Sequence, residues 1–521
     1  MGKTLVIGLD GASWDLINPW IEGGKLPTIE KLIKEGGHGI LKSTNPPVTG
    51  PAWVSFATGK NPGKHGCYGF FLPKGSLSKT ESITTRDIKG ETFYQLLDRQ
   101  GKKCILVNLP CSYPPRIQGI LITDFLTKGD NFFFPPNLVA EISELKDYRI
   151  VPRPNLKGEN FVADVSDLEK KKFDCARQLF QKDWDFFFIL FDVPDSILHR
   201  VDEKIIPGKK VAALKILEEI DNYVKWFIDH APDANIFIMS DHGFRSYNRV
   251  FSINEWLVSE GYAKVGVKSI ESKIEDSSFL ERKQVSNWIQ RLVSQLLKRR
   301  IPLQNQFLMK LASFLYRIIT KVTRLRRVVQ ITLYPESSAY SLTYAGNYAS
   351  IYLNSREKFE QGVVENREEL RAEIMSKLEK LEDDSGNKIF VSVLKGEDVY
   401  FGESTDMAPD IILMASDNYN LIGVDPARLH NAHALEGIFI TYGANIKNGA
   451  EVDVEIIDLA PTILHCMGMP IPVDIDGRVL EEIFKEDSEP ANRKPRFRSI
   501  QSGEVQKIRG KIGQMKRQKE I

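Results

Sequence analysis

The chain has 521 residues, of which 42% are apolar and 10% aromatic, and its formal net charge is +1. This length exceeds one ordinary domain but suits a large α/β enzyme with insertions, and the apolar content is enough for a substantial core. The near-zero charge excludes a protein that binds polyanions over its whole surface, so any electrostatic specialisation must be local.

Cysteine usage and hydropathy indicate the compartment. The five cysteines are an odd number and contain no C-x-x-C pair, which argues against a disulfide framework or a cysteine zinc site. We predict that each is a small buried apolar residue. The apolar run at the N-terminus is too short for a signal peptide, and no later run reaches the ~18 residues of a membrane span. A soluble, cytoplasmic protein is therefore expected.

Short apolar runs alternate with amphipathic stretches, a pattern typical of an α/β fold whose mostly parallel central sheet is flanked by helices on both faces. Runs that are apolar on both faces belong in the middle of such a sheet. The predicted strands are Thr4–Leu9, Cys104–Val107, Phe186–Phe191, 236–239 and 411–414. The predicted helices are 167–181, with Ser166 as N-cap, and 209–230.

The composition changes along the chain and divides it into four parts. Residues 1–267 and 331–487 are predicted to form the two parts of a catalytic α/β core. Between them, residues 268–330 are predicted to be an inserted basic helical cap, because residues 282–327 contain many Lys and Arg and no acidic residue. Residues 488–521 are polar and basic and are predicted to be a disordered tail.

Carboxylate and histidine side chains follow the predicted strands. Asp10 comes directly after Thr4–Leu9, where sites form in open α/β sheets, although a helix-capping aspartate is an equally good interpretation. Asp195 and His199 follow Phe186–Phe191, with Pro194 at a helix start. Positions i and i+4 share one helix face, so both could reach one metal ion. The alternative is an N-cap with a surface histidine.

Two further histidines extend this set. Asp241 and His242 follow strand 236–239, and both can serve one site only if the chain leaves the strand there, which Gly243 permits. His433 precedes the predicted strand 438–442, and it reaches the same edge if that strand is antiparallel or its loop folds back. His430 competes with His433, but the spacing to the following glycine favours His433.

Thr49 is the candidate nucleophile. Pro51 suits the first turn of a helix that ends near Thr58, with Gly59 as its stop signal. Thr49 then lies at the helix N-terminus, where free N–H groups favour an anion. A metal-bound threonine alkoxide at that point would be an activated nucleophile, whereas an ordinary N-cap threonine is the alternative.

Several motifs occur together in one known family. They are the segment 46–59 with the pattern P-x-x-T-x-P-x-W-x-S-x-x-T-G, the run 61–66, Pro194-Asp195-x-x-x-His199, the run 240–243, and residues 458–464 with 476–477. With them the chain resembles the type I phosphodiesterase/nucleotide pyrophosphatase family of the alkaline phosphatase superfamily. The resemblance runs through residues 5–69, 186–243 and 339–484. No Cys-x-Pro-x-Arg segment is present, which disfavours the sulfatase branch.

The resemblance implies an alkaline-phosphatase-like fold and hydrolysis of phosphodiester or pyrophosphate bonds through a phospho-threonine on Thr49. It also implies two divalent cations, for which nitrogen and carboxylate ligands suit Zn²⁺ best and Mn²⁺ next. One ion would be held by Asp195, His199 and His433, and the other by Asp10, Asp241 and His242 together with Thr49.

Asn108, at the end of Cys104–Val107, is a candidate donor to a substrate phosphate, although a turn-forming asparagine is at least as good an interpretation. The sequence identifies no aromatic pair that would stack on a nucleobase. The expected partner is a phosphorylated small molecule, without specific nucleic-acid binding, and the sequence leaves the oligomeric state open.

Two alternative functions stay open. A phosphomonoesterase or phosphotransferase would use the same two-metal site and differ only in the pocket walls. A non-enzymatic protein could instead contact anionic membranes through the basic stretch 282–327, which would place it at a membrane surface. The competing interpretation of that stretch is a cap whose apolar face packs on the core.

Overall fold

A ten-stranded central sheet organises the chain in this computed structural model, which describes residues 2–127, 132–200, 212–269, 329–423 and 431–499. Nine of the strands lie side by side, and Val454–Glu455 also pairs with Gly37–Lys42. Their order is Ala450–Glu451, Gly37–Lys42, Glu436–Tyr442, Asn235–Met239, Thr4–Leu9, Phe186–Phe191, Cys104–Val107, Ile120–Ile122 and Phe133–Phe134.

The middle of this sheet is parallel. The strands from Asn235–Met239 to Ile120–Ile122 pair in parallel register. Thr4–Leu9, Phe186–Phe191 and Asn235–Met239 are buried at every position, as expected for strands covered on both faces. The sheet is mixed toward its edges, since Glu436–Tyr442 is antiparallel to both of its neighbours.

Helices cover both faces of the central sheet, as predicted. Alternate residues of a strand point to opposite faces. Leu5, Ile7 and Leu9 accordingly pack in one apolar cluster, whereas Val6 packs in another. The helices of the first cluster are Trp14–Glu22, Pro27–Glu35, Gly158–Phe180 and Ile216–Asp229. Those of the second are Thr49–Thr58, Phe93–Arg99 and Leu459–Cys466.

A second, four-stranded antiparallel sheet carries its own apolar cluster. Its strands, in order, are Ala339–Ala345, Tyr348–Leu353, Ile411–Ala415 and Phe390–Lys395, and the helices Ile253–Ser259 and Arg367–Leu378 pack against it. The sequence interpretation was therefore wrong to place 411–414 in the central sheet. A short apolar strand looks the same in either sheet, because pairing partners are not encoded in its periodicity.

Two helix predictions differ from the structure at their starts. The helix predicted at 167–181 begins at Gly158, and Ser166 lies inside it, where its hydroxyl contacts Glu219 instead of capping a terminus. The helix predicted at 209–230 is described as a 3₁₀ turn, Ala212–Lys215, followed by Ile216–Asp229.

The basic cap predicted for 268–330 lies outside the described residues except at its two ends. Those ends belong to an antiparallel pair, Val265–Ser269 with Val329–Leu333. The predicted tail differs from the structure over its first residues: Glu489–Asn492 is helical, and Phe497–Arg498 pairs with Ile471–Pro472. Residues 500–521 lie outside the described part.

The remaining described elements are short. They are the helices Pro62–His65, Leu138–Glu141, Asp195–Leu198 and Gly396–Val399, and the 3₁₀ turns Ser143–Asp147, Thr405–Met407, Ile456–Asp458 and Glu481–Ile483. The remaining strand pairs are Phe71–Pro73 with Thr80–Ser82, Gly243–Ser246 with Asn431–Ala434, and Arg249–Ser252 with Tyr419–Ile422. All five cysteines are buried and unbridged, as predicted. Among the described helices, none has the length and apolarity needed to span a bilayer.

Candidate metal centre

Three aspartates meet at the carboxyl edge of the central sheet. Asp10, Asp195 and Asp241 follow the adjacent parallel strands Thr4–Leu9, Phe186–Phe191 and Asn235–Met239. Because neighbouring parallel strands end at the same edge, their following residues are brought together. The backbone links two of these turns directly, since the Asp195 N–H donates to the Asp10 carbonyl at 3.0 Å.

The first group of candidate ligands comprises Asp195, His199 and His433. The Nε2 atoms of His199 and His433 each lie 3.2 Å from Asp195 Oδ1 and 2.8 Å from each other. His199 reaches Asp195 because it follows one helical turn later. His433 arrives from the strand Asn431–Ala434, which pairs antiparallel with Gly243–Ser246. His430, its competitor, lies outside the described residues.

The second group comprises Asp10, Asp241 and His242, whose ligand atoms lie within 4.8 Å of one another. His242 Nε2 is 3.2 Å from Asp241 Oδ2 and 3.7 Å from Asp10 Oδ1. The two groups adjoin, because the rings of His242 and His433 stack with centroids 3.7 Å apart. The described residues thus form one continuous site with two ligand clusters.

Hydrogen bonds orient two of the histidines. Nδ1 of His433 donates to the Pro47 carbonyl at 2.9 Å, and Nδ1 of His242 donates to the Gly243 carbonyl at 3.1 Å. An imidazole that donates through Nδ1 keeps its Nε2 lone pair free, and both Nε2 atoms face the carboxylates. This arrangement is typical of histidines that bind metal ions, whose second nitrogen is held by a backbone carbonyl or a carboxylate.

Burial makes the carboxylates costly without a cation. Burial and the charges of Asp241 and Asp195 raise the pKa of Asp10. Burial, and next the charge of Asp195, raises the pKa of Asp241 to about 7. Burial acts to raise the pKa of Asp195 as well, but His199 and His433 outweigh it and hold that pKa well below its ordinary value.

The donor set fits divalent cations. Asp10 Oδ1 and Asp241 Oδ2 are buried and accept no hydrogen bond. Buried anionic oxygens without donors are strongly unfavourable, and a cation among them removes the penalty. Three carboxylates and three imidazoles without a thiolate match the ligand preferences of Zn²⁺, with Mn²⁺ as the alternative.

Thr49 is the first residue of the helix Thr49–Thr58, with Val48 as N-cap, so Pro51 lies in the first turn, as predicted. The Thr49 hydroxyl lies 3.2 Å from His242 Nε2, next to the second ligand group. Gly8 lets the helix lie close to the sheet, since a Cβ there would be 2.8 Å from Trp53 Cη2. The helix N-terminus, a favourable place for a phosphate, thereby lies at the sheet edge.

Gly11 gives the site a testable backbone requirement. Gly11 and Gly24 both have positive φ, +71° and +65°, but an added Cβ at Gly11 would lie 3.0 Å from Asp195 Cβ, whereas at Gly24 it meets nothing within 4 Å. We expect Gly11→Ala and Gly24→Ala each to lower the free energy of unfolding by about 1 kcal/mol. Only Gly11→Ala should displace a ligand and reduce metal affinity or kcat, by about 10–100-fold.

Metal titration and steady-state kinetics on both glycine variants check this expectation. Gly24→Ala controls for the conformational strain alone. Equal kcat and equal metal affinity in the two variants would show that Asp195 tolerates the added methyl group.

Asn108 does not have the arrangement expected of a phosphate donor. It is fully buried with φ of +64°, and its amide nitrogen donates to the Leu190 carbonyl at 3.2 Å and to Asp192 Oδ1 at 2.8 Å. Both amide hydrogens are therefore used within the protein. The structure favours the alternative interpretation, a turn-forming asparagine that holds the end of a neighbouring strand.

The buried network of ion pairs that lies behind the site was not predicted from the sequence. Lys172 is fully buried and contacts Glu169 Oε1 at 3.0 Å and Asp192 Oδ2 at 2.5 Å. Asp192 in turn accepts the Ser196 N–H through its backbone carbonyl, within the turn that presents Asp195. The available signal was that Lys172 falls on the apolar face of its helix, where a solvated lysine does not belong.

The second sheet also supports the site, which sequence reasoning did not detect. The Tyr247 hydroxyl donates to the His433 carbonyl at 2.6 Å. Gly346, in the turn between the first two strands of the second sheet, approaches the same carbonyl so closely that a Cβ would lie 1.9 Å from it. Tyr247 and Gly346 thus contact the strand that carries His433 at one carbonyl. Neither residue has a local sequence signal for this contact.

Comparison with known proteins identifies the family and the fold. The model of the family described as type I phosphodiesterase / nucleotide pyrophosphatase matches residues 4–435. Phosphonoacetate hydrolase from Sinorhizobium meliloti 1021, in complex with phosphonoformate, is similar with a TM-score of 0.55 and 16% identity, over 88% of this chain and 94% of that one. An inactive form of murine ectonucleotide pyrophosphatase / phosphodiesterase 5, in complex with AMP, is similar with a TM-score of 0.50 and 12% identity, over 90% of this chain and 96% of that one. Curated proteins give no match.

Proposed function

Because the chain belongs to the type I phosphodiesterase / nucleotide pyrophosphatase family, we propose that it hydrolyses phosphodiester or pyrophosphate bonds with two divalent cations and Thr49 as the nucleophile. Membership makes it a phosphoester hydrolase of the alkaline phosphatase superfamily. The single observation that supports the finer proposal is that two adjoining ligand groups lie beside the Thr49 hydroxyl at the N-terminus of a helix.

In this proposal the six ligand residues form two cation sites. Asp195, His199 and His433 would hold one ion, and Asp10, Asp241 and His242 would hold the other. When bound, the ions supply positive charge that stabilises the phosphate oxygens and favours the deprotonated hydroxyl. The Nδ1 atoms of His242 and His433 donate to backbone carbonyls, and these bonds orient both rings with Nε2 toward the carboxylates.

Thr49 carries the covalent step in this proposal. Its oxygen attacks the phosphorus, a bond from Thr49 to phosphorus forms, and the ester oxygen departs with its substituent. Water then attacks the phospho-threonine, which releases the phosphate product and restores the hydroxyl. A phosphate bound at the N-terminus of the Thr49–Thr58 helix would be stabilised further by the first N–H groups of that helix.

A substrate and cation panel tests the proposal. The full-length chain, first freed of metal by a chelator, is assayed with Zn²⁺ or Mn²⁺ on bis(para-nitrophenyl) phosphate, para-nitrophenyl thymidine monophosphate and para-nitrophenyl phosphate. We expect cation-dependent turnover of the diesters that exceeds turnover of the monoester. A faster reaction with the monoester would favour the phosphomonoesterase alternative. Absence of turnover on all three with either ion would contradict hydrolysis through this site.

A further inference from the structure

Two phenylalanines lie beside the Thr49 helix without serving the core. A Cβ on Gly50 would be 3.3 Å from Phe70 Cδ1, so the Phe70 ring lies against the backbone of the residue that follows Thr49. Phe125 packs on Phe70 with ring centroids 5.7 Å apart and remains 37% exposed. Neither ring belongs to an apolar cluster of the described residues.

The geometry of this pair decides what it can bind. Two rings that sandwich a flat base must be nearly parallel and about 7 Å apart, twice a van der Waals contact distance. Phe70 and Phe125 instead meet edge to face, with an angle of 69° between their planes. Nothing fits between them. Phe70 lies against Gly50, and the two rings form the walls of a corner.

We propose that Phe70 and Phe125 form an apolar corner that binds the aliphatic chain of a substrate, so that this enzyme acts on phosphodiesters carrying an alkyl or acyl substituent in preference to nucleotides. This inference rests on the proposed function and specifies its substrate class. A phosphate bound at the N-terminus of the Thr49 helix would place one ester substituent next to Gly50. A flexible chain can contact both walls at once, whereas a planar base can stack on only one of them.

The chain-length dependence of hydrolysis tests the apolar corner. The substrates are para-nitrophenyl methyl, butyl and octyl phosphodiesters, which share one leaving group, and para-nitrophenyl thymidine monophosphate. Each fully buried methylene can improve kcat/KM up to about fourfold, and a half-open corner gives less. We therefore expect kcat/KM for the octyl ester to exceed that for the methyl ester by about tenfold, and to exceed that for the thymidine ester.

Substitutions of Phe125 and Phe70 test whether these two rings cause the dependence of kcat/KM on chain length. In Phe125→Ala the octyl-to-methyl ratio should fall to about two, because one wall is removed. Phe125→Leu should restore most of the ratio, since an apolar side chain is sufficient for an aliphatic chain. Phe70→Leu should likewise keep part of the octyl-to-methyl ratio. The matched control is Phe401→Ala, because Phe401 is also an exposed phenylalanine and contacts Lys64 beyond the far end of the Thr49 helix. This substitution should leave the ratio unchanged.

The outcomes separate this inference from the proposed function. Turnover of all esters with no dependence on chain length, or equal ratios in Phe125→Ala and Phe401→Ala, would overturn the apolar corner while leaving the hydrolase intact. A thymidine ester that outperforms the octyl ester, with loss of that preference in Phe125→Leu, would identify base stacking instead. No turnover of any ester by the wild-type chain would overturn both.

Discussion

Replacing Thr49 with alanine is expected to lower kcat for phosphodiester hydrolysis by at least about 10³-fold, because it removes the atom that forms the bond to phosphorus. Thr49→Ser should retain measurable turnover, since it keeps a hydroxyl on the first residue of the helix. Neither change removes a carboxylate or an imidazole, so cation content should be preserved. Stopped assays with bis(para-nitrophenyl) phosphate and metal analysis of the same samples measure both quantities.

Thr58→Ala is the matched control for this prediction. Thr58 is the last residue of the same helix and is also buried, and its hydroxyl donates a hydrogen bond to the Val54 carbonyl at 2.7 Å. Its loss should cost about 1 kcal/mol of stability and leave kcat within twofold. Full activity in Thr49→Ala would end the nucleophile assignment, whereas equal losses in both variants would point to the helix rather than to the hydroxyl.

Asp241→Asn should abolish cation-dependent activity and, at the same time, stabilise the metal-free protein. Burial and the charge of Asp195 disfavour ionised Asp241, which raises its pKa to about 7. A neutral amide removes that repulsion, keeps the Gly11 N–H donor at 3.3 Å, and faces His242 Nε2 as a possible acceptor. We expect a gain of about 1–3 kcal/mol in the unfolding free energy without metal, and loss of most of the stabilisation by metal.

Asp221→Asn provides the opposite expectation for a buried carboxylate outside the site. Asp221 accepts the N–H groups of Thr28 and Ile29 at 3.0 and 2.9 Å, at the start of a helix. An amide offers one oxygen to these two N–H groups and turns its NH₂ toward the other, so the substitution should lower stability by about 1 kcal/mol without changing cation content. Urea unfolding at neutral pH with and without Zn²⁺ measures both variants. Destabilisation of the metal-free protein in Asp241→Asn would contradict the repulsion on which this prediction depends.

The local features of the site were predictable because each follows from one strand end. Three strongly apolar runs give buried strands, and the first few residues after each run must lie at the carboxyl edge of the sheet, as Asp10, Asp195 and Asp241 do. The spacing of four between Asp195 and His199 determined that they share a helical turn. The position of His433 was conditional on an antiparallel strand, and Glu436–Tyr442 has that direction.

Features that depend on long-range pairing were not predictable from one sequence. The strand Ile411–Ala415 has the same composition as a central strand, yet it pairs only within the second sheet. Tyr247 and Gly346 act on His433 through contacts that no local pattern records. Asn108 could be a phosphate donor or a turn-forming residue. The choice depended on its hydrogen bond to Asp192, which follows a different strand. The apolar corner joins residues 70 and 125, which no local sequence pattern connects.

Diffraction from crystals of the zinc-loaded protein, recorded on both sides of the zinc absorption edge, tests the central claim most directly. The account predicts two anomalous peaks per chain, one among Asp195, His199 and His433 and one among Asp10, Asp241 and His242 beside the Thr49 hydroxyl. A single peak, or peaks that none of these six side chains contacts, would contradict it.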